Sequence, residues 1–166
     1  MKTAFFIRHA KSSWEHPELR DIERPLNPRG LRDAPFMAKL LKAKSPPPDT
    51  LLSSPAVRAL TTAEFFAREL GRGRESITVV NDIYGADPGT LLLLLRNLPE
   101  AYSTAWVFGH NPEFTELANR FSKEFIANVP TCGIFRLDGR VEHWRDFSPD
   151  TAELTEFHYP KQYFKG

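Results

Sequence analysis

The stretch TAFFIRHA, residues 3–10, places an apolar run directly before an arginine and a histidine. The run at residues 4–7 is typical of a buried strand, because it combines aromatic, β-branched and small apolar side chains without a charge. Arg8 and His9 do not suit a buried strand, since charged side chains are seldom buried without partners. We therefore expect the strand to end here and to present Arg8 and His9 at its carboxyl edge.

Four further apolar runs, each bounded by polar or turn-forming residues, predict strands at residues 50–52, 77–80, 105–108 and 133–137. Stretches with helical spacing separate the first four of the five predicted strands. Alternating strands and helices are typical of an α/β fold with a mostly parallel sheet. At 166 residues the chain has the size of one domain, and we expect a single domain over residues 1–166.

Four predicted helices begin with a capping side chain before a proline, at Asn27-Pro28, Ser54-Pro55, Asp87-Pro88 and Asn111-Pro112. The helix after Ser54-Pro55 is expected to end at Gly71. Its predicted apolar face consists of Val57, Leu60, Ala63, Phe66, Ala67 and Leu70. Open parallel sheets bind ligands beyond the carboxyl ends of their strands, where helix amino termini attract anions. We therefore expect the polar residues of these junctions to converge.

The balance of charge gives no reason to expect two classes of partner. With 22 basic and 21 acidic residues the formal net charge is +1, so we expect binding to neither nucleic acid nor a membrane surface. Residues 4–7 are shorter than the apolar core of a signal peptide, and the five leucines at 91–95 predict a buried helix, since a bilayer span needs ~20 apolar residues. The single cysteine, Cys132, fits a reducing compartment, and we expect a cytoplasmic protein.

The sequence lacks the usual patterns of metal and nucleotide sites. Its five histidines, at positions 9, 16, 110, 143 and 158, have neither the close pairing of a helical zinc motif nor a cysteine pair beside them. It has no Walker-type glycine loop and no dinucleotide fingerprint. Cys132 and Arg136 lie too close together for the signature of a cysteine phosphatase. We expect no metal and no cofactor.

Three predicted strand ends carry residues that could bind an anion. Arg8 and His9 follow the first strand, Arg58 lies in the segment after the second, and His110 follows the fourth. Each also has an ordinary structural interpretation, as a surface loop pair, a solvated helix residue or a polar cap. Their recurrence at corresponding junctions favours a phosphate site, because guanidinium groups match phosphate oxygens in pairs.

The motifs at these junctions resemble, in their order, those of the histidine phosphatase superfamily, and within it the small SixA-type phosphohistidine phosphatases. They are RHA at residues 8–10 (RHG in the family), RPL at 24–26, RG at 29–30, SPAVRA at 54–59, TAE at 62–64 and GHNP at 109–112. The resemblance implies a phosphoglycerate mutase-like fold with three layers, α/β/α. It also implies that His9 is the nucleophile that becomes phosphorylated, while Arg8, Arg58 and His110 hold the phosphoryl group. Arg24 is a candidate substrate contact, with a solvated or structurally paired arginine as the alternative.

The sequence departs from the family at the general acid. Many members carry a glutamate in the segment that here reads DIYGAD, residues 82–87, with glycine at the corresponding place. Asp87 and Glu113 are candidates, although Asp87 also suits a helix cap and Glu113 the stabilisation of a helix dipole. An imidazole leaving group can be protonated near neutral pH, whereas an alkoxide needs an acid. We therefore expect N–P rather than O–P substrates.

We accordingly predict a metal-independent phosphatase acting on phosphohistidine protein. The alternatives are a small-metabolite phosphomonoesterase or mutase, and a non-catalytic module that binds phosphoprotein. Catalysis needs a neutral His9, whose ordinary pKa of ~6.5 predicts weaker chemistry below neutral pH. The aromatic residues of the C-terminal part are expected to pack on the body of the protein: Trp144, Phe147, Phe157, Tyr159, Tyr163 and Phe164.

Overall fold

Strand β1, Lys2–Arg8, has both faces of its apolar run buried in the computed structural model, which describes residues 1–164. Ala4 and Phe6 point into one hydrophobic core, and Phe5 and Ile7 point into another. Because side chains alternate between the two faces of a strand, an unbroken apolar run requires cover on both sides of the sheet.

The sheet is mostly parallel, as the sequence predicts. Its remaining strands are β2 (Thr50–Ser53), β3 (Ile77–Val79), β4 (Thr104–Gly109), β5 (Ile134–Gly139) and β6 (Ala152–His158). Their spatial order is β3-β2-β4-β1-β5-β6; the first four are parallel, and β5 and β6 run antiparallel to their neighbours. Strand β6 was not predicted, because it is an edge strand without a fully buried residue and so has no apolar run.

Helices cover the two faces of the sheet in pairs. Helices α1 (Pro28–Lys44) and α2 (Val57–Glu69) pack on the face that carries Phe5 and Ile7. Helices α3 (Pro88–Arg96) and α4 (Glu113–Phe121) pack on the opposite face. The predicted α/β/α arrangement of three layers is confirmed.

Two of the four predicted helix starts are confirmed, one is shifted by one residue and one is wrong. Asn27 and Asp87 cap α1 and α3 by accepting hydrogen bonds from the amides of Gly30 and Thr90. Ser54 instead accepts a hydrogen bond from the amide of Ala56, and this turn delays α2 until Val57. Asn111 accepts a hydrogen bond from the amide of Thr115 at 3.1 Å, in the first turn of α4, which begins one residue later than predicted.

The delayed start of α2 changes which residues face the core. Val57 was predicted on the apolar face but is 39% exposed, because it is the first residue of the helix and points to solvent. The following residue, Arg58, is buried in its place. The helix gives way at Gly71, as predicted, whose φ of 73° suits glycine.

The C-terminal aromatic residues pack to different extents. Trp144 and Phe147 are fully buried, while Tyr163 is 41% exposed and lies beside Phe36. In α3, Leu91 and Leu95 are buried and Leu93 is exposed, so the leucine run is only partly buried. Within residues 1–164, none of the helices is both long enough and apolar enough to cross a membrane.

Candidate active site

The carboxyl ends of β1, β2 and β4 lie side by side, since β4 pairs with both β1 and β2. The amide of His9 donates to the carbonyl of Gly109 at 3.0 Å, and the amide of Ser54 donates to the carbonyl of Phe108 at 3.0 Å. Gly109 has no room for a side chain, because a Cβ there would come within 2.7 Å of the Phe114 ring. The sheet therefore brings the three predicted junctions together.

His9 is buried and its ring orientation is fixed. Nδ1 must carry the proton, because it lies 2.7 Å from the carbonyl oxygen of Ala10, which can only accept. Nε2 is thereby left with a free lone pair. Burial, and to a smaller extent the charges of His110, Arg58 and Arg8, lower the pKa of His9 to about 3, although the hydrogen bond to Ala10 opposes them. His9 is thus a neutral imidazole with a free Nε2.

His110 lies next to His9, with 5.3 Å between the ring centroids. Its Nε2 forms a hydrogen bond of 2.7 Å with the Ser54 hydroxyl, while its Nδ1 is buried and has no partner within residues 1–164. Burial first and Arg58 second lower the pKa of His110 to about 4. The ring edge of Tyr84 contacts it, at 5.5 Å between centroids.

Arg8 and Arg58 are tied at their terminal nitrogens and free at Nε. Arg8 Nη1 donates to the carbonyl of Val129 at 2.9 Å. Arg58 donates from Nη1 to the carbonyl of Asp21 at 2.7 Å and from Nη2 to its carboxylate at 3.0 Å. Both Nε atoms are buried without a partner. Over residues 1–164, the buried side-chain nitrogens and oxygens without a hydrogen bond are these two and His110 Nδ1.

Asp21 links three side chains of the site and was not predicted from the sequence. Besides Arg58, its carboxylate accepts hydrogen bonds from the Tyr84 hydroxyl at 2.7 Å and from Arg24 Nε at 3.2 Å. Tyr84, and then Arg58 and Arg24, lower the pKa of Asp21 to about 2 although partial burial opposes them. The carboxylate is therefore ionised at neutral pH and braces the arginines.

Arg24 is buried, and its Nε and Nη1 donate hydrogen bonds to Asp21 and to the loop after β1. Its Nη1 donates to the Ser12 hydroxyl at 2.8 Å and to the Ser13 carbonyl at 3.2 Å, beside the bond from Nε to Asp21. The Trp14 ring stacks on the guanidinium at 3.5 Å. These contacts fit the structurally paired alternative, and contact between Arg24 and a substrate stays a prediction.

Neither predicted carboxylic acid forms a hydrogen bond with His9. Asp87 caps α3, and the hydrogen bond from the Thr90 amide lowers its pKa. A smaller fraction of this carboxyl group therefore holds a proton at neutral pH. Burial, and then repulsion from Glu116 on the same helix, raise the pKa of Glu113. Its side chain makes no hydrogen bond to His9 or His110. In residues 1–164 no three His, Cys, Asp or Glu side chains are grouped as metal ligands would be.

Comparisons with known proteins agree on the family and the fold. A sequence model of the histidine phosphatase superfamily (branch 1) matches residues 4–116. An uncharacterized protein of Mycobacterium tuberculosis is 32% identical over 171 residues, covering 93% of this chain and 100% of the relative. An uncharacterized chloroplastic protein of Arabidopsis thaliana is 30% identical over 148 residues, covering 84% of this chain and 67% of the relative.

Two solved structures are similar over almost the whole chain. One is an Agrobacterium tumefaciens protein assigned as the phosphohistidine phosphatase SixA, with a TM-score of 0.78, 27% identity and coverage of 96% of this chain and 98% of that one. The other is the protein histidine phosphatase SixA complexed with tungstate, with a TM-score of 0.77, 21% identity and coverage of 93% and 95%. The predicted fold and the predicted resemblance are both confirmed.

Proposed function

Because this chain belongs to the histidine phosphatase superfamily, we propose that it is a metal-independent phosphatase that forms a phosphohistidine intermediate on His9. Its substrate in this proposal is phosphohistidine in another protein. Family membership supports phosphatase activity in general. The support for the mechanism and the substrate comes from the side chains around His9.

The observation that carries the proposal is the set of three unpartnered nitrogens, Arg8 Nε, Arg58 Nε and His110 Nδ1. A buried donor without an acceptor costs about 1–3 kcal/mol, and more when it is charged. A phosphoryl group offers several acceptor oxygens, and in this proposal they bind the two Nε atoms and, where it carries the proton, His110 Nδ1. Phosphoryl transfer requires this kind of positioning and charge compensation around the equatorial oxygens.

The proposed reaction has two steps. In the first, His9 Nε2 attacks phosphorus in line, the N–P bond of the substrate breaks, and the departing imidazole keeps the electron pair and takes a proton from solvent. In the second, a water oxygen attacks phosphorus, the bond to Nε2 breaks, and its electron pair returns to Nε2 as inorganic phosphate leaves. If the Ser54 hydroxyl donates to His110 Nε2, the proton of His110 stands on Nδ1 and can bind a phosphoryl oxygen.

The ionised state of the Asp21 carboxylate favours an imidazole as leaving group. Asp21 lies beside Arg58 but has a pKa of about 2, so at neutral pH it holds no proton to donate. An imidazole needs less help than an alkoxide, because it can take its proton from water near neutral pH. This chemistry favours phosphohistidine over a phosphate ester as the substrate.

Two peptides of one sequence, phosphorylated on histidine or on serine at the same position, test the proposal. We expect phosphate release from the phosphohistidine peptide to have a kcat/KM at least ~100-fold higher, since each missing transition-state donor typically costs that order. His9→Ala controls for release without the nucleophile. Equal rates on the two peptides would support a phosphomonoesterase instead. Tight binding of the phosphohistidine peptide without any phosphate release would support a binding module.

A further inference from the structure

A cleft of about 340 Å³ borders Arg8, and neither of the two imidazoles lines it. Helix α1, the segment before β5 and the segment after β6 form its walls. Among residues 1–164, five cationic side chains line it: Arg8, Lys11, Arg29, Arg32 and Lys161. In the same part of the chain, Asp33 is the one acidic residue of the lining. The cleft is therefore strongly positive although the whole chain has a formal net charge of only +1.

The positive charge of the cleft is only partly compensated. Asp33 is buried and forms ion pairs with Arg32 at 2.8 Å and Arg29 at 3.9 Å. Lys11 and Lys161 take part in no ion pair within residues 1–164. An anion in the cleft would thus meet two free ammonium groups beside two arginines that share one carboxylate.

The backbone of Lys11 is fixed at the edge of the cleft. Its carbonyl accepts a hydrogen bond from the amide of Asn27 at 2.9 Å. Gly30 of α1 packs against the same carbonyl so closely that a Cβ at Gly30 would clash with it. Lys11 follows His9 by two residues, so this packing fixes the backbone from which the Lys11 side chain extends along the cleft.

An apolar hollow continues from the cationic cleft. The two share Asn128, Pro130 and Tyr159 in their linings, and the hollow has a volume of about 510 Å³. It is bordered by Phe125, which is 85% exposed. A small phosphorylated metabolite would leave this apolar surface uncovered, whereas a protein segment can place charged side chains in the cleft and apolar ones in the hollow.

We propose that the cationic cleft binds acidic side chains that flank the phosphohistidine of a substrate protein. This inference rests on the proposed function and adds a substrate class to it. Guanidinium groups pair with carboxylates through two parallel hydrogen bonds, and the two lysines add attraction over a longer range. Charge complementarity of this kind selects partners and speeds association more than it adds affinity.

Three phosphohistidine peptides that differ only in their flanking residues, with glutamate, glutamine or lysine, test the inference. They are compared on the wild type, on the double variant Lys11→Gln/Lys161→Gln, and on the matched control Lys39→Gln/Lys42→Gln, whose lysines lie on α1 outside the cleft. Phosphoramidate, a donor without flanking groups, reports the basal activity of each protein.

We expect the wild type to prefer the glutamate peptide, and the cleft variant to lose about 5- to 10-fold in kcat/KM on it, mainly through KM. Its rates on the glutamine peptide and on phosphoramidate should stay within about 2-fold of wild type, as should all rates of the control variant. Equal wild-type rates on the three peptides would overturn the inference. An equal loss of kcat/KM by the cleft variant on the glutamate and glutamine peptides would overturn it as well.

A binding measurement separates this inference from the proposed function. Fluorescence anisotropy with the unphosphorylated glutamate peptide needs no turnover, and we expect weaker binding to the cleft variant than to wild type or control. Such a difference without turnover of any phosphohistidine peptide would reject the phosphatase proposal and keep the cleft as an acidic-peptide site. Identical binding to the three proteins would reject the cleft while leaving the phosphatase proposal intact.

Discussion

Asp21 binds both terminal nitrogens of Arg58, with its carbonyl oxygen 2.7 Å from Nη1 and its carboxylate 3.0 Å from Nη2. The arginine is therefore held in one orientation before any anion arrives, with Nε left free. Preorganised donors of this kind lower the barrier of a reaction because they need not reorient as charge develops. Asp21 thus acts on the proposed chemistry through Arg58, as a positioning residue.

Replacing Asp21 by Asn should lower kcat by about 10-fold and change KM by less than about 3-fold. The amide keeps the shape of the side chain but loses the charge-assisted hydrogen bonds to Arg58 and Arg24. The Arg58 side chain is then held less firmly in its orientation. Steady-state kinetics on a phosphohistidine peptide measure both constants. Asp82→Asn, an exposed change of the same charge in a neighbouring loop, should leave both unaltered. A KM effect alone would show that Asp21 contributes to binding and not to positioning.

Replacing Arg58 by Ala should lower kcat/KM by ~100-fold or more, because the phosphoryl oxygens would lose a preorganised positive donor. Arg58→Lys keeps the charge but not the planar fork, and we expect it to recover only part of the activity. Thermal unfolding of both variants shows whether the fold is intact. A fully active Arg58→Ala protein would remove this residue from the site.

The pH dependence of His9 phosphorylation should reflect a buried imidazole. With pKa values of about 3 for His9 and about 4 for His110, both rings stay neutral well below pH 6. The weakening that the sequence predicts below neutral pH is therefore expected to begin lower, below about pH 5. Rapid-quench measurements between pH 4.5 and 7.5, with short reaction times and a blank without enzyme, test this. A half-point near pH 6.5, or a rate that rises steadily towards pH 5, would contradict the assignment.

The same two histidines should make the folded state less stable in mild acid. In the unfolded chain both imidazoles take up protons as the pH falls through about 6.5, whereas in the folded protein they resist protonation until about pH 3 to 4. The free energy of unfolding should thus decrease from pH 7 to pH 5, by up to ~2 kcal/mol for each histidine. Urea unfolding in phosphate-free buffer measures this. His9→Gln should reduce the decrease and the exposed change His16→Gln should not; an equal decrease in both would exclude His9 as its source.

Local sequence signals were sufficient for the residues at strand ends. Arg8 and His9 follow an apolar run directly and His110 follows one after Gly109, and parallel pairing of β1 with β4 then fixes their neighbourhood. Arg58 was predicted from its motif, and its burial depends on a helix start that the sequence placed two residues early. The predicted cap Ser54 instead binds His110, which only the folded sheet makes clear.

Contacts that depend on loop closure could not be predicted. Asp21 lies 37 residues from Arg58 and 63 residues from Tyr84 in the chain, in a loop without periodic pattern. Its proximity to Arg24, three residues later, was the one local signal. Lys11 and Lys161 both line the cationic cleft although they lie near opposite ends of the sequence. The unpredicted strand β6, which ends shortly before Lys161, brings the second lysine there.

Covalent labelling of His9 tests the central claim most directly. The protein is mixed with an isotopically labelled phosphohistidine donor and quenched within milliseconds to seconds, and the label on the protein is measured after acid and after alkali. We predict a label that is lost in acid and stable in alkali, present in wild type and in the exposed-histidine control His16→Ala, and absent from His9→Ala. Phosphate release by wild type without such a label, or an undiminished label on His9→Ala, would contradict the account.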